Sequence, residues 1–413
     1  MEEEGVFVQE MRKQNRVLVM ICYRNINPAT GEGRLIVNRA NSLYTKYGVH
    51  TRIFALVSER HRQQNKGLTP NTPGLSICQF AFKNVWGILW ALYQLVIEAN
   101  RFIVATQAVK GIVFSGSLSY FTYPFLVKKG KKILDIHGAL EEWLEYPPLH
   151  IFKNKIITRM AYAFWSFLEQ YIAHRMDAAL VVTQELGKHI QTKYGCNCWF
   201  VIPCGLHKIL VKEPQAVREH WRNYFGFLPQ DIVITYSGSL ASWQMIRETI
   251  DFFLSYRTMN SQAKLLLLVT DPDQVRQIYS KRGGDESAAV IGRLSASDAL
   301  EAMLAADIGV MLREKNITNK VAFPNKFAEY LAGGLIVVTS PGLTGPAQMV
   351  LENRLGIVQD PYSEKISQDN TLILDILLAR RHVDWLEYYE ETANFCYRSL
   401  DIKNYLDRFE EWL

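Results

Sequence analysis

Residues 323–334 read FPNKFAEYLAGG, and residues 335–339 read LIVVT. Pro324 favours the start of a helix, because its fixed φ suits the first turn and its missing N–H is not needed there. Gly333 and Gly334 favour the end of that helix and a tight turn, and the apolar run after them is typical of a buried strand. The segment therefore predicts a helix that leads directly into a strand, the repeating unit of parallel α/β proteins.

The same alternation of short apolar runs and longer amphipathic segments extends along the chain. In the first half, strands are predicted at Arg16–Tyr23, His50–Val57, Leu75–Phe80, Gly111–Ser115, Lys132–His137, Ala178–Val182 and Trp199–Pro203. In the second half, strands are predicted at Ile232–Gly238, Lys264–Thr270, Ala288–Ile291, Ile308–Leu312, Leu335–Thr339 and Gly356–Gln359. Helices are predicted between them, among others at Ser119–Lys128 and Trp243–Asn260, and in the tail from Trp385 to Leu413.

A polar stretch from Pro203 to Val217 separates the two halves and is predicted as a linker. At 413 residues, 48% apolar and 21% charged, the chain has the composition of a globular protein and the length of two domains. The pattern therefore predicts an α/β protein with two doubly wound, Rossmann-like domains facing a cleft.

Lys326 and Glu329 lie three positions apart, on one face of the predicted helix. A lysine in a first turn opposes the helix dipole, so Lys326 indicates an anionic partner such as a phosphate. A carboxylate one turn later can accept two hydroxyls of a ribose while the lysine holds the attached phosphates. An exposed Lys–Glu pair on a capped helix is the alternative interpretation.

Further motifs follow in a set order along the chain. They are Thr30–Arg34, Leu134–Gly138 with Glu141 and Glu142, Val201–Leu206, Tyr236–Leu240 and Asp307–Val310. Together with Pro324–Gly333 they resemble retaining, family-4-type glycosyltransferases of the GT-B fold, from the first strand to about residue 360. The resemblance implies an acceptor-side domain at 1–204, with a C-terminal helix at about 395–413 packed back on it, and a donor-binding domain at 205–394.

The resemblance also implies a role for each candidate site residue. The donor would be a nucleotide-diphospho-sugar, and the catalytic group would comprise Glu329 at its ribose, Lys326 at its diphosphate and His137 near the transferred sugar. A loop histidine that merely caps a turn is the alternative for His137. The further donor-binding residues would be Gly31 and Gly33 in a glycine loop, Gly238 and Ser239 at the phosphates, Arg293 near the base, and Asn325 beside Lys326.

The implied activity is sugar transfer to a glycan or lipid-linked acceptor with retention, in polysaccharide or cell-surface glycan biosynthesis. The enzyme would be a metal-independent hexosyltransferase without a cofactor, because a lysine, a helix dipole and backbone amides can stabilise a leaving diphosphate. The chain departs from the family pattern in two ways. Val321 replaces a glutamate that contacts the sugar. Ser239 and the Trp243–Gln244 region stand where an arginine and a lysine are common, which leaves Lys320 and Arg313 as possible helpers of Lys326.

These departures keep two alternatives open. One is a nucleotide-sugar epimerase of the same fold, and the other is a non-catalytic glycosyltransferase-like partner subunit.

Charge is uneven along the chain, whose formal net charge is +5. Residues 1–200 carry 24 Lys and Arg against 14 Asp and Glu, whereas residues 201–413 carry 22 against 27. In the first half, basic residues form a run at Lys128–Lys132 and lie among aromatic residues from Lys153 to Arg175. This pattern suits peripheral contact with an anionic membrane. The alternative is that the aromatic residues belong to the hydrophobic core. No nucleic-acid recognition motif is evident.

The chain is predicted to be cytoplasmic, and the inner face of the cell membrane suits its basic half. Three glutamates follow Met1, which is the wrong charge for a secretory signal. The longest apolar run, Val85–Ile97, is shorter than the ~20 residues of a spanning helix.

Two patterns could indicate a metal site, and neither is predicted to hold one. Cys196, Cys198 and Cys204, with His189 and His207 nearby, match no spacing of a tetrahedral site and are predicted to be buried thiols. The Asp-x-Asp sequence at 271–273 precedes a predicted helix, where an aspartate caps the first turn.

Overall fold

The computed structural model describes residues 16–27, 30–64, 73–147, 154–204 and 211–413. Lys153, His207 and part of the predicted linker lie outside the described residues. The chain forms two compact units. Unit 1 comprises Met1–Gly205 and Ile402–Leu413, and unit 2 comprises Leu206–Asp401.

Unit 1 is built on a seven-stranded parallel sheet with the strand order β3-β2-β1-β4-β5-β6-β7. Its strands are β1 Val17–Cys22, β2 His50–Ser58, β3 Leu75–Phe82, β4 Val109–Ser115, β5 Lys131–Ile136, β6 Ala178–Val181 and β7 Trp199–Val201. Its helices before the linker are α1 Gly31–Tyr47, α2 Glu59–Gln64, α3 Val85–Ala105, α4 Glu142–Glu145, α5 Lys155–Ala173 and α6 Gln184–Tyr194. All six residues of β1 are buried, as expected of a central strand covered on both faces.

Unit 2 is built on a six-stranded parallel sheet with the strand order β10-β9-β8-β11-β12-β13. Its strands are β8 Ile232–Gly238, β9 Ala263–Val269, β10 Ala289–Gly292, β11 Ile308–Met311, β12 Ile336–Thr339 and β13 Gly356–Val358. Its helices are α7 Pro214–Phe225, α8 Ile246–Met259, α9 Pro272–Lys281, α10 Ala296–Ala302, α11 Ile317–Lys320, α12 Asn325–Ala332, α13 Thr344–Glu352, α14 Gln368–Val383 and α15 Trp385–Leu400. Each sheet reverses its strand order once, so the predicted α/β class with two doubly wound sheets is confirmed.

The chain returns to unit 1 at Ile402, later than the predicted return at about residue 395. The buried face of α15 explains the difference, because it packs on α12 in unit 2, where the thiol of Cys396 donates to the carbonyl of Ala328 at 3.4 Å. Only the final segment belongs to unit 1. Its helix, α16 Asp407–Trp412, buries Phe409 against Phe200 of β7, with 5.6 Å between the ring centroids.

Three helical predictions need correction. The predicted linker is too long, because α7 already begins at Pro214. The segment predicted as a helix at Ser119–Lys128 forms a 3₁₀ helix at Ser117–Phe125 instead, with Pro124 inside it. The sequence pattern does not predict α14, because this helix carries apolar residues on all its sides and therefore shows no helical period. Ile376, for example, is exposed while the adjacent Leu377 is buried.

The Asp-x-Asp sequence has the predicted capping role. Asp271 caps the first turn of α9, where its carboxylate accepts a hydrogen bond from the backbone N–H of Gln274 at 3.1 Å. Asp273 pairs with Arg276 one turn later, with 2.7 Å between the charged atoms. Both carboxylates are thus engaged in local contacts of α9.

One helix among the described residues, α3, is long and apolar enough to cross a membrane, by length and composition only. The uncharged run Val85–Ile97 forms the first part of this helix, which continues through Glu98 and Arg101 to Ala105. Its inner side packs on the sheet, where Phe102 meets Phe54 edge to face at 5.9 Å. Since α3 also connects β3 with β4 of one sheet, it is an integral helix of unit 1.

A buried aspartate joins several segments of unit 2 at the amino ends of its strands. Asp307 precedes β11 and accepts a hydrogen bond from the backbone N–H of Val233 at 2.8 Å. Its carboxylate also pairs with Arg218 and Arg222 from α7 and with Arg381 from α14. Burial alone would raise the pKa of Asp307, but the three guanidinium groups outweigh it and hold that pKa well below its usual range.

Candidate functional site

The loops after β8 and β11 meet at the carboxyl edge of the unit 2 sheet, where its strand order reverses. Ligands of open α/β sheets bind at such an edge. Lys326 lies here, in the first turn of α12, and Gly238 ends β8 beside it. Pro324 stands at the N-cap of α12 and makes no side-chain capping bond, and the leading amides of a helix suit an anion.

Gly238 is required at this position for two physical reasons. Its φ of +148° lies in a region that side-chain-bearing residues rarely adopt. A Cβ atom there would also lie 2.6 Å from Cε and 2.7 Å from Nζ of Lys326. The missing side chain therefore leaves the space that the lysine occupies, and it brings the backbone of the loop close to the ammonium group.

Two cationic donors converge on one neutral oxygen at this edge of the sheet. Oε1 of Gln244 accepts from Nζ of Lys326 at 2.6 Å and from the guanidinium of Arg313 at 2.7 Å, and the hydroxyl oxygen of Tyr236 lies 3.2 Å from it. The ammonium of Lys326 also lies 4.0 Å from the centroid of the Tyr236 ring. Two cations thus share an uncharged amide, an arrangement suited to an anionic ligand.

The charge of Lys326 is poorly compensated within unit 2. Burial lowers the pKa of Lys326 well below its ordinary value, and the nearby Arg313 lowers it further, while Glu329 raises it to a smaller extent. Arg313 is itself only 4% exposed. A bound diphosphate would add negative charge beside these two cations.

The other predicted donor-binding residues of unit 2 lie at varying depth. Asn325 and Glu329 are half-buried on α12, on either side of Lys326 in sequence. Ser239 is exposed, and its carbonyl accepts a hydrogen bond from the hydroxyl of Tyr236 at 2.6 Å, which fixes the loop after β8. Arg293 is exposed after β10. Lys320, a suggested helper, is exposed in the last turn of α11.

Val321 is buried, with 2% of its surface exposed. The position therefore belongs to the apolar interior of unit 2. A glutamate that contacts a sugar has no counterpart at this position.

In unit 1, His137 follows β5 and forms a pair with a buried carboxylate. Its Nε2 lies 2.8 Å from Oδ2 of Asp135, whose side chain is fully buried. The other carboxylate oxygen accepts from Arg39 of α1 at 2.6 Å, and Ser115, at the end of β4, donates to Oδ2 at 2.8 Å. His137 thus contacts Asp135, and Asp135 is in turn held by side chains of α1 and β4 at the carboxyl edge of the sheet.

The glycine segment at the start of α1 is connected to the same group. Glu32, between Gly31 and Gly33, pairs with Arg24 at 2.6 Å, and Nε of Arg24 donates to the hydroxyl of Ser115 at 3.3 Å. A Cβ at Gly33 would lie 2.1 Å from the carbonyl oxygen of Asn27, so this glycine permits close backbone packing. Gly31 and Gly33 therefore lie in the first turn of α1, which Thr30 caps, rather than in a free loop.

Among the described residues, no group of three or more His, Cys, Asp or Glu side chains is arranged to hold a metal ion. His189 contacts Glu141 at 3.2 Å. Burial raises the pKa of the Cys204 thiol to about 11, and it raises the pKa of the Cys196 and Cys198 thiols as well. The prediction of buried thiols is confirmed for Cys196, whereas Cys198 and Cys204 are half-buried.

A cavity of about 580 Å³ in unit 2 contains none of the predicted site residues. It lies between α7 and the turn from α14 to α15. Arg218 and Arg222 line it, but both guanidinium groups are bound to Asp307 and to backbone carbonyls. The cavity is therefore a poorer candidate for a phosphate site than the pocket at Lys326.

Sequence reasoning overlooked two groups that organise these sites. Gln244 lies in the 3₁₀ turn Ser242–Gln244, in the region where the family pattern has a lysine, but the sequence does not indicate that two cations donate to its side chain. Asp135 stands within the motif that includes His137, and a charged residue inside an apolar strand was the available signal.

A scan against protein-family profiles found no match, and a sequence search of curated proteins found none either. Many solved structures are similar in fold. A glycosyltransferase from Rickettsia africae has a TM-score of 0.65 at 12% identity, over 97% of this chain and 98% of that one. A point mutant of TarM from S. aureus, in complex with fondaparinux, alpha-GlcNAc-glycerol and UDP, has a TM-score of 0.63 at 9% identity, over 96% and 99%.

A third similar structure is the E. coli trehalose-6-phosphate protein bound with UDP-2-fluoro glucose. It has a TM-score of 0.61 at 12% identity, over 96% of this chain and 98% of that one. Identities this low establish the fold alone. The two doubly wound sheets and these similarities over nearly the whole chain lead to one conclusion: the protein has the GT-B fold, as the motifs of its sequence predict.

Proposed function

We propose that the protein is a glycosyltransferase that takes its sugar from a nucleotide-diphospho-sugar bound by unit 2. The observation that carries the proposal is the convergence of Lys326 and Arg313 on the neutral Gln244, beside Gly238 at the strand-order reversal. Two similar structures contain UDP or a UDP-sugar analogue, which supports this donor class.

The chemistry of the proposed site is stabilisation of a leaving group. As the bond between the sugar and the diphosphate breaks, negative charge develops on the phosphate oxygens, and Lys326, Arg313 and the first amides of α12 can receive it. These groups supply the stabilising charge from the protein, so we propose a metal-independent reaction. Glu329 accepts the ribose hydroxyls, and His137 contacts the transferred sugar.

The resemblance to family-4-type enzymes supports three finer proposals. The transferred sugar is a hexose, its anomeric configuration is retained, and the acceptor is a glycan or a lipid-linked glycan of polysaccharide or cell-surface biosynthesis. Ser239 and Arg293 are exposed, so they are available for the donor's phosphates and base.

We further propose that the enzyme is cytoplasmic and contacts an anionic membrane through unit 1. Two helices carry the contact surface, here named the apolar face. It comprises Val85, Trp86, Leu89, Trp90 and Tyr93 of α3 and Ile156, Met160, Phe164, Phe167 and Tyr171 of α5, all of them exposed. Their spacing of three or four residues places them in one stripe on each helix.

The 3₁₀ helix Ser117–Phe125 contacts both helices. Phe121 meets Trp165 of α5 at 5.8 Å, and the carbonyl of Phe125 accepts from Asn100 of α3 at 2.8 Å. Phe125 is itself 68% exposed. A solvent-exposed apolar surface of this extent is typical of a binding surface.

Basic residues near the apolar face support an anionic lipid surface as its partner. Lys155 and Arg159 are exposed on α5, and Lys128 is exposed after the 3₁₀ helix. Other lysines of the predicted basic run have structural contacts. Lys129 donates to the carbonyl of Thr106 at the end of α3 at 2.5 Å, and Lys131 lies 4.8 Å from the Trp412 ring centroid.

The experiment that tests the activity is a transfer assay with UDP-, GDP- and ADP-sugars, with glycan and lipid-linked acceptors present. The proposal expects release of a nucleoside diphosphate and loss of turnover in Lys326→Met. It also expects the new linkage, measured by NMR, to have the same anomeric configuration as the donor. Interconversion of the donor sugar without an acceptor would identify an epimerase. Donor binding without any turnover would identify a non-catalytic subunit.

A further inference from the structure

We infer that Asp135 is a positioning residue, which fixes the proton of His137 on Nε2 and so presents the lone pair of Nδ1 to a hydroxyl group of the substrate. The assignment of that hydroxyl to the transferred sugar rests on the proposed function. The fixed tautomer itself follows from the contacts within unit 1.

The first step of the argument is the set of donors around the carboxylate. Asp135 accepts hydrogen bonds from Arg39 at Oδ1 and from Ser115 at Oδ2, at 2.6 and 2.8 Å. Nε2 of His137 lies 2.8 Å from the same Oδ2. An ionised carboxylate only accepts hydrogen bonds, so Nε2 must carry the proton in this contact.

The second step is the charge state of the two groups. Burial would raise the pKa of Asp135, but His137 and Arg39 outweigh it, and the carboxyl pKa falls well below its usual range. Burial, together with the charges of Arg24 and Arg39, lowers the pKa of His137 although the neighbouring carboxylate raises it. The pair therefore consists of a carboxylate and a neutral imidazole, and Nδ1 has no proton.

The third step is the environment of Nδ1. It is buried and has no hydrogen-bond partner among the described residues, while the whole His137 side chain is 10% exposed. A buried acceptor without a donor costs free energy, which a ligand that donates to it would recover. A sugar hydroxyl can donate, whereas an ionised phosphate oxygen cannot.

The substitution Asp135→Asn makes the inference testable without a change of shape. The guanidinium of Arg39 only donates, so the amide oxygen of the new side chain must face Arg39 and its NH₂ group must face His137. That NH₂ group donates to Nε2 and moves the imidazole proton to Nδ1. His137 would then offer a donor where the wild-type protein offers an acceptor.

The test is ¹⁵N NMR of the full chain with labelled histidine, the His137 signal being identified by its loss in His137→Ala. The inference expects the Nε2–H pattern in the wild-type protein and the Nδ1–H pattern in Asp135→Asn. The control is Ser115→Ala, which removes a hydrogen bond from the same oxygen but should keep the Nε2–H pattern. An Nδ1–H pattern in the wild-type protein, or an unchanged pattern in Asp135→Asn, overturns the inference.

A kinetic readout separates positioning from a purely structural effect. Asp135→Asn should lower kcat/KM at least about tenfold, much more than Ser115→Ala, and should cause no further loss in the His137→Ala background. An equal loss in that background means that Asp135 acts through the fold, which overturns the inference. If the wild-type chain transfers no sugar at all, the proposed function fails, and the NMR pattern alone decides whether Asp135 fixes the tautomer.

Discussion

Nζ of Lys326 lies 2.6 Å from Oε1 of Gln244, so a buried ammonium group donates to a neutral amide. Arg313 donates to the same oxygen at 2.7 Å. The positive charge of each group makes the charge of the other less favourable, and a bound diphosphate would offset this repulsion. This relationship is the physical basis of the proposed donor site, and it makes ligand binding depend on the protonation of Lys326.

Binding of a nucleoside diphosphate should take up a proton. The pKa of Lys326 lies below its ordinary value of 10.5, and an anionic ligand raises it, so the proton enters with the ligand. Above pH ~7.5 a terminal phosphate with a pKa of about 6 is already ionised. Affinity should therefore fall as pH rises through the range in which Lys326 of the free protein loses its proton, with a limit of about tenfold per pH unit.

Calorimetric titrations in buffers of different ionisation enthalpy measure the proton uptake. The matched variant is Lys326→Arg, because a guanidinium remains charged throughout this pH range and should bind without taking up a proton. Equal proton uptake by the wild-type protein and by Lys326→Arg would show that another group titrates.

Glu329 should distinguish ribose from its deoxygenated analogue. In the wild-type protein we expect UDP, or whichever diphosphate binds, to be preferred by about tenfold or more over its 2′,3′-dideoxy form, because a carboxylate accepts both hydroxyls. Glu329→Gln should lose that preference while its affinity for the dideoxy form stays the same. A preference that survives the substitution would remove Glu329 from the ribose site.

The sequence predicts the sheets well because both faces of each central strand are buried, which leaves unbroken apolar runs such as β1 and β9. It fails where that signal is weak. The pattern misses α14, because exposed Leu372 and Ile376 alternate with buried Leu374 and Leu377 and hide the helical period. It places the start of α7 in the linker, because most residues of this helix are polar and its buried residues, Trp221 and Arg222, are few.

The candidate site divides in the same way. Lys326, Gly238 and His137 belong to local motifs, and the sequence suffices to name them. Their partners Gln244, Arg313 and Asp135 act through tertiary contacts. The contacting residues are 82 positions apart in the chain for Lys326–Gln244, 69 for Arg313–Gln244 and 96 for Asp135–Arg39. The resemblance suggests Arg313 as a helper of Lys326, but no local pattern encodes its shared contact with Gln244 or the contacts of Asp135, which become visible only in the folded chain.

Asp307→Asn should destabilise unit 2 strongly. The variant leaves Arg381, which is fully buried, without its counter-charge, and loss of one partner of a buried ion pair typically costs about 3–5 kcal/mol. Urea unfolding measures the free-energy change. Asp273→Asn is the control, because it breaks the exposed pair with Arg276 and should cost less than about 1 kcal/mol.

The pH dependence of the same contribution has a definite sign. Because the folded-state pKa of Asp307 is depressed, its stabilising effect is present above the ordinary value of 3.8 and is lost as pH falls below it. Asp307→Asn should therefore lose less stability relative to the wild-type protein at lower pH. A constant difference across that range would contradict the assigned role of the carboxylate.

The apolar face should bind anionic vesicles. Trp86 and Trp90 are 80% and 60% exposed, and transfer of such side chains into a lipid interface is worth about 1.5–3 kcal/mol each by the apolar surface they bury. Trp86→Ser with Trp90→Ser should thus weaken partitioning to phosphatidylglycerol vesicles at least about tenfold in a flotation assay. Donor-site ligand binding should be unchanged.

The matched control for the vesicle experiment is Leu372→Ser with Ile376→Ser. These residues are 60% and 59% exposed on α14 in unit 2. If this control weakens partitioning as much as the tryptophan variant does, the binding is a general effect of surface hydrophobicity and the apolar face has no special role.

The most direct test of the donor site is calorimetric titration of the full chain with UDP, GDP and ADP, in parallel for the wild-type protein, Lys326→Met and Lys281→Met. Lys281 is an exposed lysine of α9 and serves as the control. We expect one diphosphate to bind the wild-type protein and Lys281→Met at a single site, and to bind Lys326→Met at least about tenfold more weakly, since a charge-assisted contact contributes ~1.5–3 kcal/mol. Equal affinity in Lys326→Met, or no binding of any of the three diphosphates to the wild-type protein, would contradict a nucleotide-sugar site at Lys326.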